Sequence, residues 1–221
     1  MRRKRSILSR IVRRIIMAIY RWKGWHIEGH LPDLPKFVIA GAPHTSNWDF
    51  VFFIGATAEE GIEPSFMGKH TLFQGFMRNF MFDMGGIPVD RTKRANYVEQ
   101  VADEYRRRDR LALVIAAEGT RSSNGEWKSG FYHIAQAANV PVVPAWVCNE
   151  RKVLGFGPPV WPTGDYGADL MEIARFMRSK LPDYQRYKVL EAQAQRLIDE
   201  ARLERPAGTS GDKPGEVANG G

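Results

Sequence analysis

Three short apolar runs constrain this chain more than any other feature: Phe37-Val38-Ile39-Ala40, Leu111–Ala116 and Val140–Val147. Each is too short for an ordinary helix and is bounded by turn residues, so each is expected as a buried strand. Gly41-Ala42-Pro43 ends the first run, and Leu111–Ala116 is the clearest of the three. Shorter strands are expected at Trp25–Glu28, Pro64–Met67 and Ile87–Asp90. Pro141 and Pro144 inside the last run suggest a sheet edge or a site, because proline cannot donate to a ladder.

Helical patterns lie between the strands. They run from a cap at Ser46 or Asn47 to about Ala58, then over Thr71–Phe82, Ala95–Arg108 and Lys128–Ala138. Two more follow at Ala168–Ser179 and Tyr187–Leu203. Strands alternating with helices predict an α/β fold: a single domain with a central mixed sheet flanked by helices, preceded by an N-terminal amphipathic helix. The expected division is a basic membrane-associating helix at 1–23, the catalytic domain at 24–204 and a disordered tail at 205–221. At 221 residues the chain can bury one substantial core, and 43% hydrophobic with 26% charged residues is a globular balance. The single cysteine, Cys148, excludes an internal disulfide framework and a cysteine-cluster metal site.

The net charge of +7 is concentrated at one end. Residues 1–23 hold Arg2-Arg3-Lys4-Arg5, Arg10, Arg13, Arg14, Arg21 and Lys23 and no acid, which leaves the rest close to neutral. Leu8, Ile11, Val12, Ile15, Ile16 and Ile19 follow helical spacing among these cations. Such a helix can lie in a bilayer interface, with apolar side chains among acyl chains and cations at anionic head groups. The apolar run Ile15–Tyr20 is far shorter than the roughly 20 residues a spanning helix needs. Arg13 and Arg14 interrupt what a secretory signal would keep apolar. The bland alternative is a helix packed on the protein's own core. Nucleic-acid binding is not expected, because no recognised module is present and the body is not basic.

The chemistry-bearing candidates sit after the strands. His44 follows Gly41-Ala42-Pro43, and Asp49 comes five positions later. On one continuous helix that offset is about 140°, which would part the two side chains. The pair works if His44 lies in the turn and Asp49 in the first turn of the next helix. The carboxylate then fixes the imidazole tautomer, and the free ring nitrogen acts as general base. There is no Gly-x-Ser-x-Gly elbow, and nothing local activates Cys148. A base without a protein nucleophile suggests that the substrate supplies one, such as a hydroxyl attacking a thioester. Glu118-Gly119-Thr120-Arg121 follows Leu111–Ala116, and Gly85-Gly86-Ile87-Pro88-Val89-Asp90-Arg91 ends in a second arginine. A glycine turn with a forked cation suits a phosphate, and two arginines at neighbouring strand ends could grip one phosphoryl group.

In this order the segments resemble the glycerolipid acyltransferase family, typified by enzymes that acylate lysophosphatidic acid. The four blocks are His44 to Asp49, Gly85 to Arg91, Ala116-Ala117-Glu118-Gly119-Thr120-Arg121-Ser122 and Val140-Pro141-Val142-Val143-Pro144, over roughly residues 36–147. Lys128-Ser129-Gly130 is also similar to the family. The departure is Ala116-Ala117, where the family carries Phe-Pro. The resemblance implies that His44 is the base and Asp49 its partner. It implies that Arg91, Glu118, Gly119, Thr120 and Arg121 bind a phosphorylated acceptor, and that Pro144 and its neighbours shape the acyl-donor site. It further implies acyl-CoA or acyl-carrier protein as co-substrate, no metal or other cofactor, membrane lipids as partners and a peripheral or monotopic place on the cytoplasmic face of a membrane. The acceptor it implies is 1-acylglycerol 3-phosphate, giving phosphatidic acid, with a lyso-aminolipid or another lysophospholipid as the alternative, and it leaves the oligomeric state open.

Two other classes compete. A metal-dependent hydrolase would use His44, Asp49 and Glu118 as ligands, although the chain has no dense ligand cluster. A non-catalytic lipid-binding protein would keep the fold without turnover. His26, His30, His70 and His133 lack partner motifs and read as structural or exposed. The Phe and Met stripe in Thr71–Phe82 reads as core, or as an acyl-chain wall or membrane contact.

Overall fold

The computed structural model describes residues 6–43, 48–90, 97–120 and 122–204, with backbone only at 48–50. Seven strands form one sheet: β1 (His26–Glu28), β2 (Lys36–Ala42), β3 (Pro64–Lys69), β4 (Gly86–Val89), β5 (Leu111–Ala116), β6 (Val142–Cys148) and β7 (Val153–Phe156). Their order is β1-β7-β6-β2-β5-β3-β4. Every pairing is parallel except β6 with β7. The sheet is therefore mixed, and β2, β5 and β6 lie inside it.

Buried strands need cover on both faces, and period-two alternation divides their side chains between two cores. Phe37 and Ile39 of β2 point to a cluster containing Tyr20, Phe52 and Phe53. Val38, Ala40 and Ala42 point to the opposite cluster, which holds Tyr105, Phe131, Leu170 and Tyr187. The first face is covered by α1 (Ile7–Trp22) and α2 (Trp48–Glu59). The second is covered by α4 (Tyr97–Arg107), α5 (Gly130–Ala138), α6 (Tyr166–Lys180) and α7 (Gln185–Glu204).

The α1 helix is packed on the body along one side. Ser9, Ile16 and Tyr20 are buried, and Ile16 meets Ile54 and Met84. Burying an isoleucine or aromatic side chain contributes about 1.5–3 kcal/mol. Ser6 caps the helix through the Ser9 N–H. The Ser6 N–H and the Ser9 hydroxyl each donate to Asp83 Oδ2 at 2.9 Å, which fastens the start of α1 to α3 (Arg78–Asp83). The apolar stripe read from the sequence is thus divided: Ile16 faces inward, while Leu8, Ile11 and Ile15 are exposed, with Ile7 and Trp22 beside them.

Three expectations need correction. Residues 71–82 do not form one helix. Two 3-10 turns, His70–Phe73 and Gly75–Met77, precede α3. Gly75 has φ +58, a conformation that interrupts a right-handed helix and favours glycine. Pro144 is not at a sheet edge, because β6 lies between β7 and β2. Its carbonyl accepts from Gly157, just past the last β7 pairing at Phe156, so the absent N–H falls where that ladder has ended. Finally, β4 and β5 are not neighbours, because β3 separates them.

Candidate active site

The strands β2, β3, β4, β5 and β6 run in one direction, so their C-terminal ends share one edge of the sheet. Open α/β sheets place their sites beyond that edge. The segments read as chemical from the sequence follow β2, β4 and β5. Because β2 and β5 are adjacent, the chain leaves the sheet side by side at Ala42 and at Ala116. The Ala117 N–H donates to the Gly41 carbonyl at 3.1 Å and ties the two exits together.

His44, Arg91 and Arg121 lie outside the described residues, as does the Asp49 side chain. In the backbone, Asp49 is the second residue of α2 and stands in its first turn. With β3 between β4 and β5, the ends of those two strands are about 10 Å apart, two strand spacings. The expectation that the two arginine segments follow neighbouring strands is therefore not met, because β3 stands between β4 and β5.

The Glu118 loop is built from a sharp turn. Gly119 has φ +73, and its N–H donates to the Ala116 carbonyl at 3.0 Å. Gly119 and Thr120 are exposed, but Glu118 is only 1% exposed. Its Oε2 accepts from Arg186 Nη1 at 2.5 Å. A carboxylate so enclosed contacts protein before it contacts substrate. An oxygen already held by a guanidinium is also poorly placed to bind a metal. Among the described residues, no three His, Cys, Asp or Glu side chains are grouped as a metal site.

A cavity of about 660 Å³ opens at this edge. Ala42, Pro43, Ala117 and Gly119 line its motif side, and Lys128 adds a cation. Phe53, Val114, Trp146 and Leu154 make much of the remainder apolar. The volume falls within the roughly 300–1,000 Å³ of small-molecule sites, and the lining suits a hydrocarbon chain with a charged end. Lys128 follows from the loop geometry: its N–H donates to the Ala117 carbonyl at 2.8 Å, and its side chain passes over Gly119. Pro144 is buried in β6 and packs beside Gly157, while its neighbours Ala145, Trp146 and Val147 line the cavity.

Sequence reasoning missed Arg186 and Tyr187. Tyr187 is buried and donates its hydroxyl to the Ala42 carbonyl at 2.8 Å, two residues before His44. Burial, followed by the nearby Tyr184 and Glu118, raises its phenol well above the ordinary value and keeps it a donor. Nothing in the helical pattern of 185–204 marks these residues, because their partners lie 68 and 145 positions away.

Comparison with known proteins gives concordant results. The family model described as Acyltransferase matches residues 26–148. The 1-acyl-sn-glycerol-3-phosphate acyltransferase of Saccharomyces cerevisiae is 30% identical over 134 residues, 58% of this chain and 43% of that protein. The enzyme of the same name from Streptococcus pneumoniae is 28% identical over 62% of this chain and 54% of its own length. The Escherichia coli enzyme of that name is 27% identical over 62% of each chain. The chain thus spans about half the length of the curated relatives it matches. The crystal structure of the 1-acyl-sn-glycerophosphate (LPA) acyltransferase PlsC from Thermotoga maritima aligns over 93% of this chain and 86% of its own, with a TM-score of 0.46 and 19% identity. With more than half of its residues matched by the family model, this chain belongs to the acyltransferase family.

Proposed function

We propose that this chain is an O-acyltransferase that moves a fatty acyl group from acyl-CoA or acyl-carrier protein to the hydroxyl of 1-acylglycerol 3-phosphate, giving phosphatidic acid. The observation that carries this reading is the apolar cavity at the shared exits of β2 and β5, within a chain matched by the acyltransferase family. The names of the three curated relatives support the acceptor.

In this mechanism His44 takes the acceptor hydroxyl proton, and Asp49 stabilises the imidazolium. The oxygen attacks the thioester carbonyl, the carbon–sulfur bond breaks, and the proton passes from His44 to the departing sulfur as thiol. Lys128, Arg91 and Arg121 hold the acceptor phosphate, and the apolar wall holds an acyl chain. A thiol-release assay with acyl-CoA and 1-acylglycerol 3-phosphate tests the reading. His44→Ala is expected to abolish acceptor-dependent release, and wild-type turnover in that variant would overturn the assignment.

The reading also places the protein on the cytoplasmic face of a membrane. No helix among the described residues is long and apolar enough to cross one. Support comes from the exposed apolar side of α1, flanked by Arg10, Arg14 and Arg21, and from the nearby segment carrying Leu72, Phe76 and Phe82. Exposed apolar groups gathered beside cations suit an interfacial contact with anionic lipid.

A further inference from the structure

The α7 helix lies beyond the residues matched by the family model, yet it holds the end of β2 and the loop that leaves β5. Tyr187 binds the Ala42 carbonyl, and Arg186 binds Glu118. About two turns further on, Gln193 accepts from the Trp127 N–H at 2.8 Å and donates to the Trp127 carbonyl at 2.9 Å. Arg196 reaches Glu126 at 2.9 Å. Gly125 lies directly on the helix, where an added Cβ would come within 2.8 Å of Arg186 Cα. The segment from Gly125 to Lys128 is therefore fixed to α7 before it delivers Lys128 to the cavity. Three points at the cavity edge, the end of β2 at Ala42, the Glu118 turn and the Lys128 strap, share one support.

We propose that Arg186 and Tyr187 are positioning residues for acyl transfer, acting as a clamp that sets the end of β2 at Ala42 and the Glu118 loop relative to each other. The proposal rests on the acyltransferase reading for its catalytic consequence and on geometry alone for its structural one. Tyr187 is buried and acts on the end of β2 through the Ala42 carbonyl. Glu118 is enclosed, so the effect of Arg186 on it is one of loop placement. A clamp of this kind changes the rate more than the binding of either substrate, because near-attack geometry is lost while the cavity remains.

The test compares Tyr187→Phe, Arg186→Gln and Arg186→Lys in the full chain, with Gln195→Ala on the exposed side of α7 as control. Three quantities are read: kcat and KM with acyl-CoA and 1-acylglycerol 3-phosphate, the thermal midpoint, and amide hydrogen exchange at Ala117 and Gly119. Tyr187→Phe and Arg186→Gln are expected to lower kcat by about tenfold, the kinetic equivalent of one lost buried hydrogen bond. KM should stay within about twofold if the cavity is intact. Exchange at Ala117 and Gly119 should quicken while Val38 in mid-sheet keeps its protection. Arg186→Lys should recover much of both effects. Wild-type exchange at Ala117 and Gly119 in both variants would overturn the clamp. So would a loss of kcat that merely tracks a fall in global stability. If the unaltered protein shows no acyl transfer, the functional reading fails, and the exchange comparison still decides whether α7 clamps the loops.

Discussion

Replacing Gly55 by alanine should destabilise the protein, although alanine is the better helix former. Gly55 lies within α2 where α1 crosses it, and an added Cβ would stand 2.5 Å from Tyr20 Cγ, 2.6 Å from Cδ2 and 2.8 Å from Tyr20 Cβ. Ordinary carbon contacts are about 3.5–4.0 Å. The offended atoms are the root of the tyrosine side chain, so ring rotation gives no relief and α1 itself must move outward. That movement loosens Ile16 against Ile54 and Met84. Glycine to alanine in a helix gains about 1 kcal/mol, and overpacking a filled core costs about 1–3 kcal/mol. Three contacts well inside van der Waals distance put the packing cost in the upper part of that range, about 2–3 kcal/mol, so the net loss is about 1–2 kcal/mol, which lowers Tm by about 2–8 °C in a chain of this size. Urea unfolding of both proteins measures it, provided the slope with denaturant is unchanged. In a Tyr20→Ala background the same substitution is expected to cost less, because the clashes with Cγ and Cδ2 are gone and only the contact with the Cβ of residue 20 remains. Equal or higher stability of Gly55→Ala in the unaltered background would refute the close crossing of α1 and α2.

Two further outcomes follow from exposure and titration. Ile15→Glu and Phe76→Glu place charges on exposed apolar positions, so each should reduce sedimentation with phosphatidylglycerol vesicles while leaving the thermal midpoint nearly unchanged; undiminished binding in both would remove the proposed contact surface. Burial, then Asp169, pushes Tyr132 up to about 12 from 10.0, and burial also raises Tyr20, Tyr105, Tyr166 and Tyr187. The native state therefore holds phenol protons that the unfolded chain releases, so this stability is complete below pH 10 and is lost as pH rises from 10 toward 12. Urea midpoints measured on either side of pH 10 should fall with alkali, and a level profile would contradict the burial of these phenols.

Legibility in the sequence followed the range of the interactions. β5 was expected at the residues where it stands, because Leu111–Ala116 is a continuous apolar run closed by a turn. Asp49 was expected in the first turn of a helix, and its backbone stands there. β7 was not foreseen, because Val153–Phe156 is four residues long and holds Gly155. That glycine is required by packing: a Cβ there would stand 2.2 Å from Trp146 Nε1. The segment from His70 to Asp83 misled because its Phe and Met residues sit at helical spacing, while Gly75 turns the chain between them. The contribution of α7 was illegible for a different reason. Arg186, Tyr187 and Gln193 look like any helix residues until the fold brings them to Glu118, Ala42 and Trp127.

The division of α1 between two environments limits how this protein can be trimmed. A helix whose outer side carries Leu8, Ile11, Ile15 and Trp22 invites deletion when a soluble version is wanted. Its inner side closes the core over Ile54 and Met84 and leaves Asp83 satisfied by Ser6 and Ser9. Deleting residues 1–23 would exchange one sticky surface for another and take the Ser6 and Ser9 donors away from Asp83. Redesign for solubility therefore has to recolour the outer stripe residue by residue and leave the helix in place.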